Sequence, residues 1–333
     1  MFTRPDDLSD TDVVRAIADG WGLRATDIEW APVGFGSHHW RVSSDHGHWF
    51  VTVDDLDARL REASDTRAAA FARLSAALSA ARALRDFGLD FVVAPLATQA
   101  GDIVHPIDDR YVAALYKYVD GESHAWSPYP TNADRLAVLD RIVAVHTSPP
   151  ARVPMAIRDD LAIPGRDRLD LLLAGDDSPW GPGPYAEPAR ALLHDYGDAL
   201  GRVLARYDDL VGEVTRYPER MVITHGEPHR GNTINTVDGV ALIDWDAALL
   251  AAPERDLWAL IDEDAQIEAF YTERTGVMLD AAALRLYRLW WDLCEISLFT
   301  AEFREPHGDT EDTRVAWAAL QRFLDPARWD QLF

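Results

Sequence analysis

The hydrophobic pattern changes character part-way along the chain. Up to about residue 118, apolar residues come in short β-rich runs broken by Gly, Pro and Asp, at 28–33, 39–43, 49–53 and 91–96. Residues 102–104 and 111–118 are two more such runs, six in all, and the sheet expected from them is antiparallel with five strands. Two helical stretches interrupt the runs. One follows the cap cluster Ser9-Asp10-Thr11-Asp12, with Val13, Val14 and Ile17 on one stripe, and the other is the alanine- and arginine-rich segment 59–89. From residue 131 onward the spacing turns helical, at 134–146, 166–174, 188–209, 257–263, 265–275, 281–304 and 317–323. Val119-Asp120-Gly121 reads as the linker, so the division expected is 1–118 and 119–333, an α+β plan of two lobes.

One stretch of the second part breaks its helical habit. Residues 221–246 hold two β-rich runs, 221–224 and 240–243, with a short β-capable piece, 233–236, between them. Asp238-Gly239 is a two-residue turn signal; with that turn Val237 faces Val240 and Thr233 faces Asp244. Asn232 and Asp244 then share the open end of a hairpin, onto which the loop 225–231 delivers Glu227. Two acids and an amide oxygen at one point suit a divalent cation and a proton transfer.

Composition narrows the classes. The chain has 333 residues, long enough for two lobes, and twelve Trp to pack them. A formal charge of −24 argues against nucleic acid and anionic membrane as partners and suits a cationic small ligand. Cys294 is the only cysteine, which excludes an intrachain disulfide and a thiolate zinc site. No apolar run reaches the ~20 residues of a membrane helix, and residues 1–10 lack a signal pattern, so a cytoplasmic protein is expected. Lys117 is the only lysine; the other basic side chains of this kind are arginines.

Near the N-terminus, Gly34-Phe35-Gly36-Ser37 lies between two predicted strands, the form of a loop whose backbone N–H groups can cover phosphate. On its own it is a weak sign, since an ordinary turn has the same composition. His38, His39, His46 and His48 invite a metal site, but strand alternation throws neighbours onto opposite faces.

His225-Gly226-Glu227-Pro228-His229-Arg230-Gly231-Asn232, followed by Ile243-Asp244-Trp245-Asp246 and Pro253-Glu254-Arg255-Asp256-Leu257, resembles the signature of the aminoglycoside phosphotransferase family. These are small-molecule kinases of protein-kinase-like fold; length and tryptophan content are similar to the spectinomycin phosphotransferase-type branch. The resemblance implies nucleotide binding by residues 1–118, with Mg²⁺ and ATP or GTP. It implies Asn232 and Asp244 as metal ligands and Glu227, where the family has Asp, as catalytic base. Gly34, Gly36, Ser37, Thr52, Lys117 and Tyr118 are the implied nucleotide contacts.

Two departures stand out. A glutamate carboxylate reaches about 1.5 Å further than an aspartate's. Thr52 also stands where kinases of this fold carry a phosphate-binding lysine; Arg59, Arg61 and Arg67 are the candidate replacements. For the acceptor, Trp291, Asp292 and Glu295 share one face of the predicted helix 281–304 with Phe299, and Asp246, Asp159 and Asp160 are further candidates. The reading is O-phosphorylation of a small hydroxylated compound, an antibiotic, giving resistance. The rivals are a kinase of a metabolic sugar or amino alcohol, and a pseudokinase that binds nucleotide without transfer.

Overall fold

A computed structural model of the chain describes residues 1–214, 220–261 and 264–329. The chain opens with helix α1, Asp10–Trp21, whose Ser9 cap and Asp12 side chain form a reciprocal capping box. Strands β1 (Asp27–Trp30), β2 (His38–Ser44) and β3 (Gly47–Asp55) follow, then helix α2 (Arg67–Asp86) and strands β4 (His105–Pro106) and β5 (Tyr111–Lys117). They form the expected five-stranded antiparallel sheet, in the order β1-β2-β3-β5-β4.

Alternation divides this sheet into two unlike faces. Trp40, Val42, Val51, Val53, Ala113 and Leu115 are buried against Val13 and Ile17 of α1. Each large apolar side chain so buried contributes ~1.5–3 kcal/mol. The pairings His39↔Thr52, Thr52↔Ala114 and Phe50↔Tyr116 put His39, Phe50, Thr52 and Tyr116 on the other face, and Asp54 follows Thr52 by two.

Three expectations for this region change. The segment 59–89 is helical only from Arg67, because Thr66 takes the cap position and accepts the Ala69 N–H. Residues 91–96, with Pro95, form no strand: Val92 makes a single bridge to Leu242, and the Leu96 N–H reaches Leu115. Residues 102–104 are likewise not a strand, and the fifth sheet member is the short β4.

The remainder is mostly helical. Strand β6 (Glu122–Ser123) precedes α3 (Asn132–His146), α4 (Arg166–Leu173), α5 (Ala186–Asp195) and α6 (Gly197–Val214). Then come β7 (Val222–Thr224), β8 (Thr233–Thr236), β9 (Gly239–Leu242) and β10 (Leu249–Ala251), followed by α7 (Glu254–Ile261), α8 (Ala265–Thr275), α9 (Ala281–Arg304) and α10 (Glu311–Phe323). The single helix expected at 188–209 is two, α5 and α6, separated at Tyr196. Residues 262–263 of the helix expected at 257–263 lie outside the described residues.

Two compact units result. One comprises Met1–Arg59, Thr66–Asp159 and Arg220–Leu279, the other Leu60–Asp65, Asp160–Glu219 and Asp280–Phe333. Their bounds do not fall at residue 118. In the second unit α9 is the central helix, with α4, α5, α6 and α10 packed on it and Leu286, Leu289, Leu293 and Ile296 fully buried. Among the described residues no helix is long and apolar enough to cross a membrane.

Candidate functional site

The hairpin β8–β9 carries the site, in a register different from the one its turn dipeptide suggests. Thr236 pairs with Gly239 and Thr233 with Leu242, so Val237 and Asp238 form the turn and Val237 is fully exposed. The Thr236 side chain decides this: its hydroxyl donates to the Gly239 carbonyl at 2.8 Å and accepts the Asp238 N–H at 3.2 Å. The open end is nevertheless the same. The Ile243 N–H donates to the Asn232 carbonyl at 3.0 Å, and Asp244 leaves the ladder with φ of 65°. A left-handed non-glycine residue costs on the order of 1 kcal/mol or more and persists where surrounding structure enforces it, commonly at functional sites.

Next to it, the loop 225–231 is fixed by buried polar groups. The Asp256 carboxylate accepts the His225 N–H at 2.8 Å and the Gly226 N–H at 2.6 Å, and His146 Nε2 lies 3.0 Å away. Burial opposes the charge on Asp256, yet the His146 hydrogen bond and nearby positive charge keep its pKa below the usual carboxylate range. His225 Nε2 lies 2.8 Å from the Ile243 carbonyl, which can only accept, so Nε2 bears the proton and Nδ1 accepts the Glu227 N–H at 3.2 Å. His225 therefore braces the loop as a neutral ring, consistent with burial pushing its pKa down. Gly226 has φ of 102°, and a Cβ there would lie 2.7 Å from the Arg255 guanidinium, so any other residue would be strained and would have to displace Arg255.

Glu227, thus presented, has Oε2 3.8 Å from His229 Nε2 and a side chain about one-third exposed. Asn232 is buried; its Nδ2 donates to the Glu227 carbonyl at 3.0 Å, which directs Oδ1 away from that bond as an acceptor. Asp244 opens to solvent at the residue level. Enclosing protein mass, then the charges of Asp246 and Glu227, push its carboxyl well above the usual range; because solvent reaches it, the like-charge repulsion is the firmer cause. Asp246 behaves oppositely: burial works against its charge, but Arg59 holds its pKa down.

The sheet closes over these acids with its polar face. Tyr116 is pushed upward by burial and then by the charges of Asp54 and Asp244, and its hydroxyl meets Thr52. Asp54, almost fully buried, accepts the Ser37 hydroxyl at 2.7 Å and Arg59 Nε at 3.1 Å, and Arg59 Nη2 reaches Asp246 at 2.5 Å. Asp54 is absent from the sequence-based site, although alternation with Phe50 and Thr52 on β3 places it on this face. Gly34 and Gly36 take left-handed φ of 70° and 95° in the loop before β2. Lys117 and Tyr118, at the end of β5, are exposed, and the Tyr118 N–H is taken by the His48 carbonyl at 3.1 Å.

Other candidates resolve differently. Arg67 forks onto Asp57 and Arg61 pairs with Asp160, so of the three arginines Arg59 is the one beside Asp246. Trp291, Asp292 and Glu295 belong to α9 in the second unit. Asp292 is 1% exposed and is bound by the Arg328 guanidinium at 2.7 Å and the Trp329 indole at 3.3 Å. It is an internal ion-pair partner there, a correction to its reading as an acceptor ligand. Among the histidines, His39 stacks on Phe50, His38 packs on Trp30, and His48 Nδ1 meets the Ser43 hydroxyl. Among the described residues no three His, Cys, Asp or Glu side chains are grouped to hold a metal ion. Asn232 Oδ1 and Asp244 are hard oxygen donors, a partial shell of the kind Mg²⁺ accepts when phosphate and water complete it, so these residues fit the ion.

The profile of the phosphotransferase enzyme family (APH) matches residues 28–298. Protein StrN of Streptomyces griseus is 32% identical over 261 residues, covering 74% of this chain and 75% of StrN. Among solved structures, a spectinomycin phosphotransferase in complex with ADP and spectinomycin superposes with a TM-score of 0.71 at 13% identity, covering 98% of this chain and 100% of that one. An amicoumacin kinase in complex with AMP-PNP, Ca²⁺ and Ami gives 0.60 at 12%, covering 96% and 93%. These likenesses establish a kinase-like α+β fold, and the family match together with StrN shows that the chain belongs to the phosphotransferase enzyme family.

Proposed function

We propose that the chain is a nucleotide-dependent O-phosphotransferase that phosphorylates a hydroxyl of a small, amine-bearing antibiotic. The observation that carries this reading is the convergence of Glu227, Asn232 Oδ1 and left-handed Asp244 at the open end of β8–β9, within a phosphotransferase family member. Phosphoryl transfer asks little covalent chemistry of a protein; it asks for aligned reactants, a proton acceptor and compensation of phosphate charge.

Glu227 is the group to receive the hydroxyl proton. Its backbone is pinned by His225 and Asp256, and the longer side chain shifts the carboxylate outward by about one methylene, ~1.5 Å. Asn232 and Asp244 would hold a divalent cation, which when bound neutralises nucleotide phosphate charge. The polar face of the sheet, with Thr52, Tyr116 and the loop at Gly34–Gly36, faces the donor. The negative charge of −24 favours a cationic acceptor, and the antibiotics bound by the structural neighbours suggest its class.

The test is turnover. Purified protein with ATP or GTP, Mg²⁺ and a panel of aminocyclitol and related antibiotics is expected to yield a product heavier by about 80 Da, one phosphoryl group. Glu227→Gln is expected to lose at least about 100-fold in kcat with nucleotide binding intact. A Gln variant of full activity would show that the proton goes elsewhere. Transfer to sugars or amino alcohols and to no antibiotic would move the protein to metabolic kinases.

A further inference from the structure

The cation that kinases of this fold keep on the third strand has an identifiable successor. We infer that Arg59, held by Asp54, is the residue that contacts the nucleotide phosphates. This rests on the kinase reading given above.

Thr52 provides no charge on β3, and Lys117 is exposed at the end of β5. The acidic partner that a strand lysine uses on the following helix is missing as well, because α2 carries no carboxylate before its last residue, Asp86. The pair is absent as a pair. In its place, Arg59 Nε and Nη2 lie 3.1 and 2.5 Å from Asp54 Oδ1, and Nη2 lies 2.5 Å from Asp246 Oδ2. Asp54 is fixed in turn by the Ser37 hydroxyl at the end of the glycine loop, and the Arg59 carbonyl is fixed by Arg73 at 3.0 Å. One edge of the guanidinium is thus oriented by two carboxylates, while Nη1 has no protein partner among the described residues and is not a buried orphan. A guanidinium stays charged and offers planar donors to phosphate oxygens, so an anchored arginine with one open edge meets the requirement. The acid sits on the strand and the cation on the loop after it, the reverse of the usual arrangement.

Calorimetry of Mg²⁺–ATP, Mg²⁺–GTP and the matching nucleosides separates phosphate from base recognition. Arg59→Met is expected to weaken triphosphate binding roughly 10- to 100-fold and nucleoside binding less than about 2-fold. Thr52→Lys added to Arg59→Met is expected to recover part of the loss. If Arg59→Met strands Asp54 and fails to fold, Asp54→Asn with Arg59→Met removes both charges and must show the same selective loss. Triphosphate affinity equal to wild type in the folded variant, or equal losses for nucleotide and nucleoside, overturns the inference and leaves the kinase reading standing. A wild-type protein that binds neither triphosphate removes both.

Discussion

Asp256→Asn is the sharpest test of how the loop bearing Glu227 is held. The substitution keeps shape and volume, so a packing defect cannot explain its effect. The carboxylate accepts two backbone N–H groups, at 2.8 and 2.6 Å, and meets His146 at 3.0 Å, with 1% exposure. An asparagine offers one oxygen. With that oxygen on Gly226, its NH₂ faces the His225 N–H, and a donor meets a donor. One charge-assisted hydrogen bond is lost, ~1.5–3 kcal/mol, and one buried donor is left unsatisfied, ~1–3 kcal/mol. The total expected is about 3–5 kcal/mol, matching the cost of breaking a buried polar pair. At roughly 2 °C per kcal/mol for a large chain, melting should fall by about 5–10 °C. Because Glu227 follows Gly226 directly, kcat should drop about 10-fold or more through misplacement, with smaller changes in KM. Urea denaturation and steady-state kinetics on the same preparation read both. If the variant unfolds at the wild-type urea concentration, the carboxylate does not organise the loop and the account of the site fails at its base.

Further outcomes follow from burial and charge. His39 has its pKa pushed down to about 3, chiefly by burial, so the folded ring is neutral where the unfolded one titrates at 6.5. Between those values the unfolded chain holds the extra proton, so stability is complete above pH 6.5 and falls as pH drops, by at most about 1.4 kcal/mol per unit since the ring keeps some solvent contact. Urea midpoints at pH 7.5 and 5.5 should converge in His39→Asn; an unchanged difference would remove His39 as its source. Asp292→Asn should cost about 1–3 kcal/mol, because Arg328 is partly exposed and can rehydrate, without altering the acceptor's KM. A raised KM at unchanged stability would return Asp292 to the acceptor site.

How much of this was legible in the sequence depended on whether the deciding interaction was local. Ser9 caps α1 as the cluster Ser9–Asp12 indicates, and α8 and α9 span 265–275 and 281–304 as their helical spacing indicates. The hairpin register turned on one hydroxyl, Thr236, which outcompeted the Asp238-Gly239 signal. The convergence of Glu227, Asn232 and Asp244 at one end of the hairpin was visible because they lie close in sequence around one turn. Arg59 with Asp246 spans 187 positions and His146 with Asp256 spans 110, and no periodicity encodes such pairs. Asp292 misled for the converse reason: helical spacing gives a residue's face, but its Arg328 partner comes from beyond α10. Arg59 was one of three arginines in a row of candidates, and only tertiary structure could separate it from Arg61 and Arg67.

The charge balance of the site limits what Arg59 can do alone. Asp54, Asp244, Asp246 and Glu227 act on the same neighbourhood, and Arg59 is the cation bonded within it. Two like charges ~4 Å apart repel by about 4 kcal/mol at an effective dielectric of 20, so a bare triphosphate would meet opposition that one guanidinium, already shared by two carboxylates, cannot offset. Burial, and then the charges of Asp246 and Glu227, already hold the Asp244 carboxyl above the usual range within the protein itself. A divalent cation at Asn232 and Asp244 would remove the repulsion at its source, and Arg59 would then orient phosphate that the metal has made tolerable. On this argument the departure at Thr52 is no sign of a decayed site. On the proposed reading the orienting cation would have moved from strand to loop, while the residues that would hold a metal, Asn232 and Asp244, would have stayed in place.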